Sequence, residues 1–463
     1  MPSRFAITTV DVDLPTIGSQ TLKFSRGSSH QSQTTVLVGR NGTGKSSVLR
    51  ELAMSFRAYF SKRDLKSRQG MGRVSHIGIS SDDANAMLNV TADAKAFRSE
   101  RDSLRTLGPA KVIALSFTPF DKFPPADDTR ESGYSGGENP FYVYLGFKAE
   151  YRISPRARLL RSIDQLTFAE RTAQGDHRVV QTLDAIGYQP LVTISYEPAQ
   201  GSSRDRPSPS GGTVLTDYLL TYRHRSRTDH RSFKYAIDFA SGQHYWEPPI
   251  DFDGGGVVDS DELRLLVRQG AMKVSSIILH RREQDDPVEL LELSSGELNL
   301  LSGFLGLASF LENGCVVLID EPENSLHPEW QLRYVEMLDA VARQHAGCHF
   351  VIATHSPLIV SGVASERSTV LRLDNQQVEL NPAVVADTSP DATLLNAFQV
   401  VTSGNNFLKQ LVLEALTLIE TGKHGEPRAL DLADFLGGIW LNIPQDDPLR
   451  ELVANVVLAI RPR

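Results

Sequence analysis

Apolar residues fall into three kinds of pattern along the chain. Residues 5–12 and 20–25 alternate apolar with polar, as strands buried on one face do, and predict a small N-terminal sheet. Continuous apolar, β-branched runs occur at TTVLVG (Thr34–Gly39), KVIALSF (Lys111–Phe117), CVVLID (Cys315–Asp320) and HFVIAT (His349–Thr354). Such runs predict strands covered on both faces, as in parallel sheets. Helical spacing of apolar groups follows from Ser46 to about Phe60, and again over 298–311, 328–345, 391–422 and 429–461. Residues 61–110 read as polar, mixed and helical in part. Residues 121–140 read as a loop dense in Pro, Gly, Ser and Asp. From about 150 to 290 the pattern is less regular, and its Ser/Pro/Gly-rich piece, 201–212, reads as a flexible loop. The chain shows no sustained heptads and no repeat of solenoid length.

Strands alternating with helices on both sides of an irregular middle predict an α/β fold with a mostly parallel core sheet. The expected organisation is a first half over 1–150, an inserted helical or mixed lid over 151–289, a second half over 290–380 and a helical C-terminal region over 381–463.

Composition changes this picture little. With 463 residues, 40% hydrophobic and 22% charged, the chain is an ordinary cored protein, which excludes wholesale disorder and a disulfide-stapled miniprotein. The net charge of −8 confines any nucleic-acid contact to local patches. Two stretches offer one, YRHRSRTDHRSFK (Tyr222–Lys234) and FRAYFSKRDLKSR (Phe56–Arg68), and each reads equally as a solvated face. Cys315 and Cys348 are the only cysteines, both in apolar surroundings, so a reduced, cytoplasmic protein without disulfides or thiolate metal sites is expected. The N-terminus lacks a signal-peptide pattern, and Leu298–Leu311 is too short to span a bilayer, which takes roughly 20 residues.

Four motifs carry chemistry. GRNGTGKS, Gly39–Ser46, matches G-x-x-x-x-G-K-[ST] between a predicted strand and a predicted helix. Gly39, Asn41, Gly42 and Gly44 let backbone N–H groups wrap a phosphate at the helix N-terminus, with Ser47 in its first turn. Lys45 would bridge the β- and γ-phosphates, and Ser46 would ligate Mg²⁺. CVVLIDEPENSLHP delivers Asp320 to a strand end, where it can hold the magnesium shell, and Glu321 follows as a base for the attacking water. ELSSGELNLL, from Glu292, reads as an N-cap, with Ser294, Gly296 and Glu297 opening an apolar helix and a second anion site. In VIATHSP, His355 ends a buried strand within one strand–helix–strand unit of Glu321.

Together these motifs resemble the ABC-type ATPases, in particular the soluble SMC/RecF/OLD-like branch, whose order is Walker A, signature, Walker B with D-loop, and switch histidine. The resemblance is close over about residues 34–50 and 290–360. It implies an ABC-type P-loop NTPase head binding ATP and Mg²⁺, with two heads dimerising head to tail. Ser294 and Gly296 would then touch the γ-phosphate held by the partner's Lys45, and His355 would sense that phosphate in cis. The D-loop positions fall on Asn324 and Ser325, with His327 in a form similar to RecF and OLD relatives. Ser295 stands where a first Gly is usual, and Glu297 where transporters have Gln. The expected Q-loop glutamine is missing from SFTPFDKF (Ser116–Phe123), where Asp121 or Ser116 could serve. Phe24 is a candidate adenine contact or a core residue.

The space between Lys45 and Asp320 lacks the coiled coil of SMC relatives. The tail lacks the strand-end acidic pattern of the OLD nucleases, since Asp431, Asp434, Asp446 and Asp447 lie in helical or turn contexts. A head without coils or nuclease resembles the ATPase subunits of bacterial anti-phage defence systems, Septu-type or retron-associated, which pair with a separate effector such as a nuclease. The alternatives are a RecF-like ATPase clamping DNA directly and an inhibitory scaffold that senses nucleotide.

Overall fold

The computed structural model describes the chain except for residues 1–3, 26, 28, 62–71, 83, 92–93, 119, 126–139, 147–174, 199–232, 239–242, 248–271, 283–286, 364–365, 374–377, 381–388, 402–404 and 462–463. It divides into two compact units: Met1–Ala126, Phe141–Lys148 and Leu311–Arg463 form the first, and Asp127–Pro140 with Ala149–Phe310 the second.

The first unit opens with β1 (Phe5–Leu14), β2 (Gly18–Lys23), β3 (Gln33–Val38), α1 (Lys45–Phe60), β4 (Val74–Ser81), β5 (Ala84–Asn89), α2 (Ala94–Leu104), β6 (Val112–Ser116) and β7 (Tyr142–Leu145). The second unit holds α3 (Gly175–Ala185), β8 (Tyr188–Pro198), β9 (Phe233–Asp238), β10 (Gln243–Glu247), β11 (Met272–Arg281), β12 (Pro287–Glu289) and α4 (Ser295–Phe310). The first unit resumes with β13 (Val316–Asp320), α5 (Pro328–Ala342), β14 (His349–Thr354), α6 (Pro357–Ser361), β15 (Ser368–Arg372) and β16 (Val378–Leu380). It ends in α7 (Pro390–Phe398), α8 (Asn406–Glu420), α9 (Pro427–Ile439) and α10 (Pro448–Ile460).

Among the described residues the strands form three sheets. The core sheet of the first unit has the order β16-β15-β3-β14-β13-β6-β7 and is parallel except for the edge pair β15–β16. Every residue of β6, β13 and β14 is buried, which is why these strands read as unbroken apolar runs. Parallel strands all point their C-terminal ends the same way. The loops after β3, β6, β13 and β14 therefore emerge along one edge, where open α/β sheets hold their ligands. The fold is an α/β P-loop NTPase fold, as the sequence pattern predicts.

The second sheet, β2-β1-β4-β5, is antiparallel and shares one apolar core with α1 and the central sheet. The mixed reading of 61–110 requires correction here. Val74–Asn89 is a hairpin completing this sheet, and among the described residues of 61–110 the helical part is α2. Phe24 is fully buried in the same core, so it is a packing residue and not a base contact. His349 ties the layers together. Its Nδ1 accepts the Ile7 N–H at 2.9 Å, and Nε2 lies 2.8 Å from Thr35 Oγ1. Complete burial lowers its pKa to about 3, so the ring is neutral.

The third sheet, β10-β9-β8-β11-β12, is antiparallel and belongs to the second unit. The described part of the insertion is thus built around a sheet, with α3 packed on α4. Among the described residues of the C-terminal region the two predicted helical stretches are four helices, α7 to α10. Gln399, at a positive φ of 52°, ends α7, Asn405 caps α8, and Asp447 followed by Pro448 starts α10. These helices share a core of their own centred on Leu408, Leu436 and Val453. Among the described residues no helix is long and apolar enough to cross a membrane.

Candidate functional site

The loop Gly39–Gly44 connects β3 to α1 and wraps the helix start through left-handed backbone at Gly39, Gly42 and Gly44 (φ 150°, 83° and 103°). At Gly44 a Cβ atom would lie 2.7 Å from Leu14 Cδ2, so both the angle and the space demand glycine. Lys45 is buried. Its Nζ donates to the carbonyls of Gly39 at 2.8 Å and Arg40 at 3.1 Å, and lies 3.3 Å from His355 Nδ1. The ammonium has no acceptor role, so Nδ1 is the acceptor and the ring proton sits on Nε2.

That Nε2 faces Glu321 Oε1 at 3.6 Å, while Asn324 Nδ2 donates to Glu321 Oε2 at 3.0 Å. The Glu321 carboxyl is held below its usual pKa, chiefly by His355, against the opposing effect of burial. Glu321 itself adopts a positive φ of 48°, a strained conformation for a long side chain, while its N–H bonds the Ala353 carbonyl at 2.9 Å. Lys45, His355, Glu321 and Asn324 thus form one polar chain across the ends of β3, β14 and β13.

Asp320 ends β13 and is 2% exposed. It accepts a hydrogen bond from Ser46, yet its Oδ1 has no partner. Burial, with the nearby charges of Glu321, Asp121 and Glu323, raises its pKa to about 7 despite Ser46. A buried carboxylate oxygen without a donor, beside a hydroxyl at a phosphate loop, suits a hard cation completed by substrate phosphates. Mg²⁺ binds through one or two carboxylates in this way. Ser46 and Asp320 would hold it.

These groups line a cavity of about 380 Å³, with Asn41, Gly42, Gly44, Ser46 and Ser47 from the loop and first turn, and Asp320, Glu321 and His355 opposite. Gly39 supplies its carbonyl to Lys45 without lining the cavity. Of the two Q-loop candidates, Asp121 lines the cavity, held by the Phe123 N–H at 2.9 Å and by Tyr144 Oη at 2.5 Å. Ser116 is fully buried and accepts the Thr118 N–H. Ser294 and Gly296 lie in the second unit, at the start of α4.

Several cavity groups were not legible from motifs. Arg73 lines it from the strand entry of β4, where the buried Glu51 carboxylate accepts the backbone N–H groups of Gly72, Arg73 and Val74 (3.2, 2.9 and 2.9 Å). Glu51 lies on α1, on the helix that starts with Lys45. Lys122 donates to Ser47 Oγ at 3.2 Å, and the 89% exposed Phe120 stands in the same lining. Glu323 accepts the His355 N–H at 2.5 Å and the Thr354 hydroxyl at 2.8 Å, locking the two strand ends together. The sequence signal for Glu323 is the second carboxylate of Glu-Pro-Glu. Glu51 and Arg73 offer none.

His327 caps α5, with Asn324 half-buried and Ser325 exposed at a φ of 65°. The basic stretch Tyr222–Lys234 lies outside the described residues except for its last two positions. In Phe56–Arg68 the described part belongs to the core, since Arg57 is buried and stacks on the Tyr142 ring at 4.6 Å. That part is therefore not a nucleic-acid face. Cys315 and Cys348 are free and buried, with burial raising the thiol pKa of Cys348 to about 11.

A parallel sheet, a phosphate-wrapping loop with its lysine, and a strand-end Asp-Glu pair define a P-loop NTPase fold. The chain is similar in part to several known proteins. Residues 213–361 match the family described as AAA domain, putative AbiEii toxin, Type IV TA system. The chain is 32% identical over 107 residues to the Retron Vc95 probable ATPase of Vibrio cholerae serotype O1 biovar El Tor. That match covers 20% of this chain and 20% of the relative's length. Among solved structures, the SmcHead bound to the C-winged helix domain of ScpA aligns over 81% of this chain and 97% of its own, at 11% identity and a TM-score of 0.37. CbiO1 from Clostridium perfringens, part of the ABC transporter complex cbiONQ, aligns over 82% and 90%, at 12% identity and a TM-score of 0.31. The fold assignment rests on the strand order and the loop described above.

Proposed function

We propose that this chain is an ATP-hydrolysing molecular switch of the ABC type. Nucleotide closes two copies head to tail, and the closed dimer controls a separate effector, a nuclease in bacterial anti-phage defence. One observation carries the hydrolytic part of this reading: Lys45, His355 and Glu321, linked in one polar chain, line the same cavity as Asp320. The defence setting is supported by the similarity to a retron ATPase and to an AbiEii-like domain.

In this reading the loop N–H groups and the N-terminus of α1 bind the phosphates. Lys45 exchanges the Gly39 and Arg40 carbonyls for β- and γ-phosphate oxygens. Mg²⁺ held by Ser46 and Asp320 would supply positive charge to the phosphates as negative charge develops on them. Glu321, whose carboxyl His355 holds below its usual pKa, orients and deprotonates the attacking water. His355 Nε2–H bonds a γ-phosphate oxygen once it turns away from Glu321. Ser294 and Gly296 of the second copy complete the site from across the dimer.

Glu321→Gln tests the base assignment. ATP binding should persist, hydrolysis should fall by about 10²–10⁴-fold as for loss of a general base, and an ATP-dependent dimer should accumulate on size exclusion. Hydrolysis at the parent rate would remove Glu321 from the role.

A further inference from the structure

Ser294 opens α4 with a reciprocal cap. Its hydroxyl and its N–H both reach Glu297 Oε2 at 2.9 Å, and the Glu297 N–H returns to Ser294 Oγ at 3.3 Å. A capping box is complete with these bonds. Yet the other carboxylate oxygen, Oε1, is held by two groups from the inserted sheet, Arg281 Nη2 at 2.6 Å and Tyr188 Oη at 3.2 Å. Tyr188 is the first residue of β8 and Arg281 the last of β11, and the two are paired across the ladder. The Arg282 N–H bonds the Gly187 carbonyl at 3.0 Å and its guanidinium pairs with Asp184, which fixes the same corner to α3.

The charges explain why the extra contacts matter. An unpaired Glu297 carboxylate would hold the Ser294 hydroxyl tightly and stand as a like charge beside any phosphate brought to this helix start. Arg281 draws that charge onto Oε1 and so weakens the hold of Oε2 on the Ser294 hydroxyl, for which a phosphate oxygen can then compete. Tyr188 keeps its proton, since burial raises its pKa to about 12, and so remains a donor at every physiological pH.

We infer that Tyr188 and Arg281 are positioning residues for the Ser294–Gly296 anion site, neutralising Glu297 so that the inserted sheet sets how well this site accepts the partner's γ-phosphate. This rests on the head-to-tail reading proposed above.

The test is a charge-neutralisation cycle on the full chain, with Ser294→Ala as reference. Arg281→Ala should leave ATP affinity of the isolated head unchanged. It should lower kcat and ATP-driven dimerisation by about 10- to 100-fold, the equivalent of one charge-assisted hydrogen bond. Tyr188→Phe should have a smaller effect in the same direction. Adding Glu297→Gln to Arg281→Ala should restore kcat, because the neutral amide no longer opposes the phosphate. A role in folding alone would not produce that rescue. Parent kcat in Arg281→Ala, or a double variant as impaired as the single one, overturns the inference while leaving the dimer reading intact if Ser294→Ala is inactive. A fully active Ser294→Ala overturns both.

Discussion

Asp320 sets the stability of the fold against the chemistry proposed for it. Its carboxylate is 2% exposed and one oxygen lacks a donor, so the ionised form is costly in the nucleotide-free protein. The folded-state pKa is raised from 3.8 to about 7. A carboxyl group raised in this way destabilises the folded state fully above pH 7. The penalty shrinks as pH falls between the two pKa values and is gone below 3.8. About three units at about 1.36 kcal/mol each give a penalty of up to about 4 kcal/mol at pH 8, and of less than about 2 kcal/mol at pH 5. Asp320→Asn keeps the shape and an acceptor for the Ser46 hydroxyl but removes the charge. Urea unfolding without nucleotide or Mg²⁺, followed through Trp330 on α5 of the same unit, should show the variant more stable than the parent by about 2–4 kcal/mol at pH 8, with a clearly smaller gain at pH 5. The same variant should lose Mg²⁺-dependent stabilisation by ATP. An Asn variant no more stable at pH 8, or a gain that does not shrink with acid, would refute the reasoning.

Three further outcomes follow from single contacts. His349 has a folded pKa of about 3 against 6.5 unfolded, so its contribution is complete above pH 6.5 and falls as pH drops toward 3. The stability difference between parent and His349→Asn should therefore shrink by about 2 kcal/mol from pH 8 to pH 5 in urea titrations. The difference is the quantity to measure, because Asp320 contributes with the opposite sign in the same window; a constant difference would contradict the neutral ring. Glu51→Gln cannot accept three N–H donors as a carboxylate does, so the start of β4 should loosen and Arg73 leave the cavity. Stability should fall by about 2–3 kcal/mol and ATP affinity by about tenfold in calorimetric titration, and unchanged affinity would remove Arg73 from the binding surface. Gly44→Ala forces a Cβ onto Leu14 at a φ of 103°. It should cost about 1–3 kcal/mol of stability and abolish ATP binding, whereas parent-like binding would show that the loop tolerates another path.

What the sequence makes legible is what one element encodes by itself. β6, β13 and β14 are buried on both faces, so each is a bare apolar run, and the residues placed at their ends had to emerge on one edge of a parallel sheet. The phosphate loop is legible because its glycines and lysine serve one backbone path between one strand and one helix. The hairpin β4–β5 was not, because its strands alternate weakly and Gly78 interrupts the first; what makes β4 a strand is pairing with β1, far away in sequence, and β5 in turn pairs with β4. The same holds for Glu51, whose partners lie beyond the end of its own helix, and for Glu323, whose partners lie on the next strand. Tyr188 and Arg281 meet Glu297 only after the insertion has folded into its sheet. Each of these contacts is a fact of tertiary packing that no periodicity records.

The central claim is that each nucleotide is enclosed by Lys45 of one copy and Ser294 of another. Mixing Lys45→Ala protein with Ser294→Ala protein tests it most directly. Each is inactive alone, but a mixed head-to-tail dimer contains one intact composite site and one doubly defective site. Since half of randomly formed dimers are mixed, ATPase activity should return to at most about a quarter of the parent rate. No recovery in a mixture shown to form mixed dimers, or full activity of Ser294→Ala alone, would contradict the account.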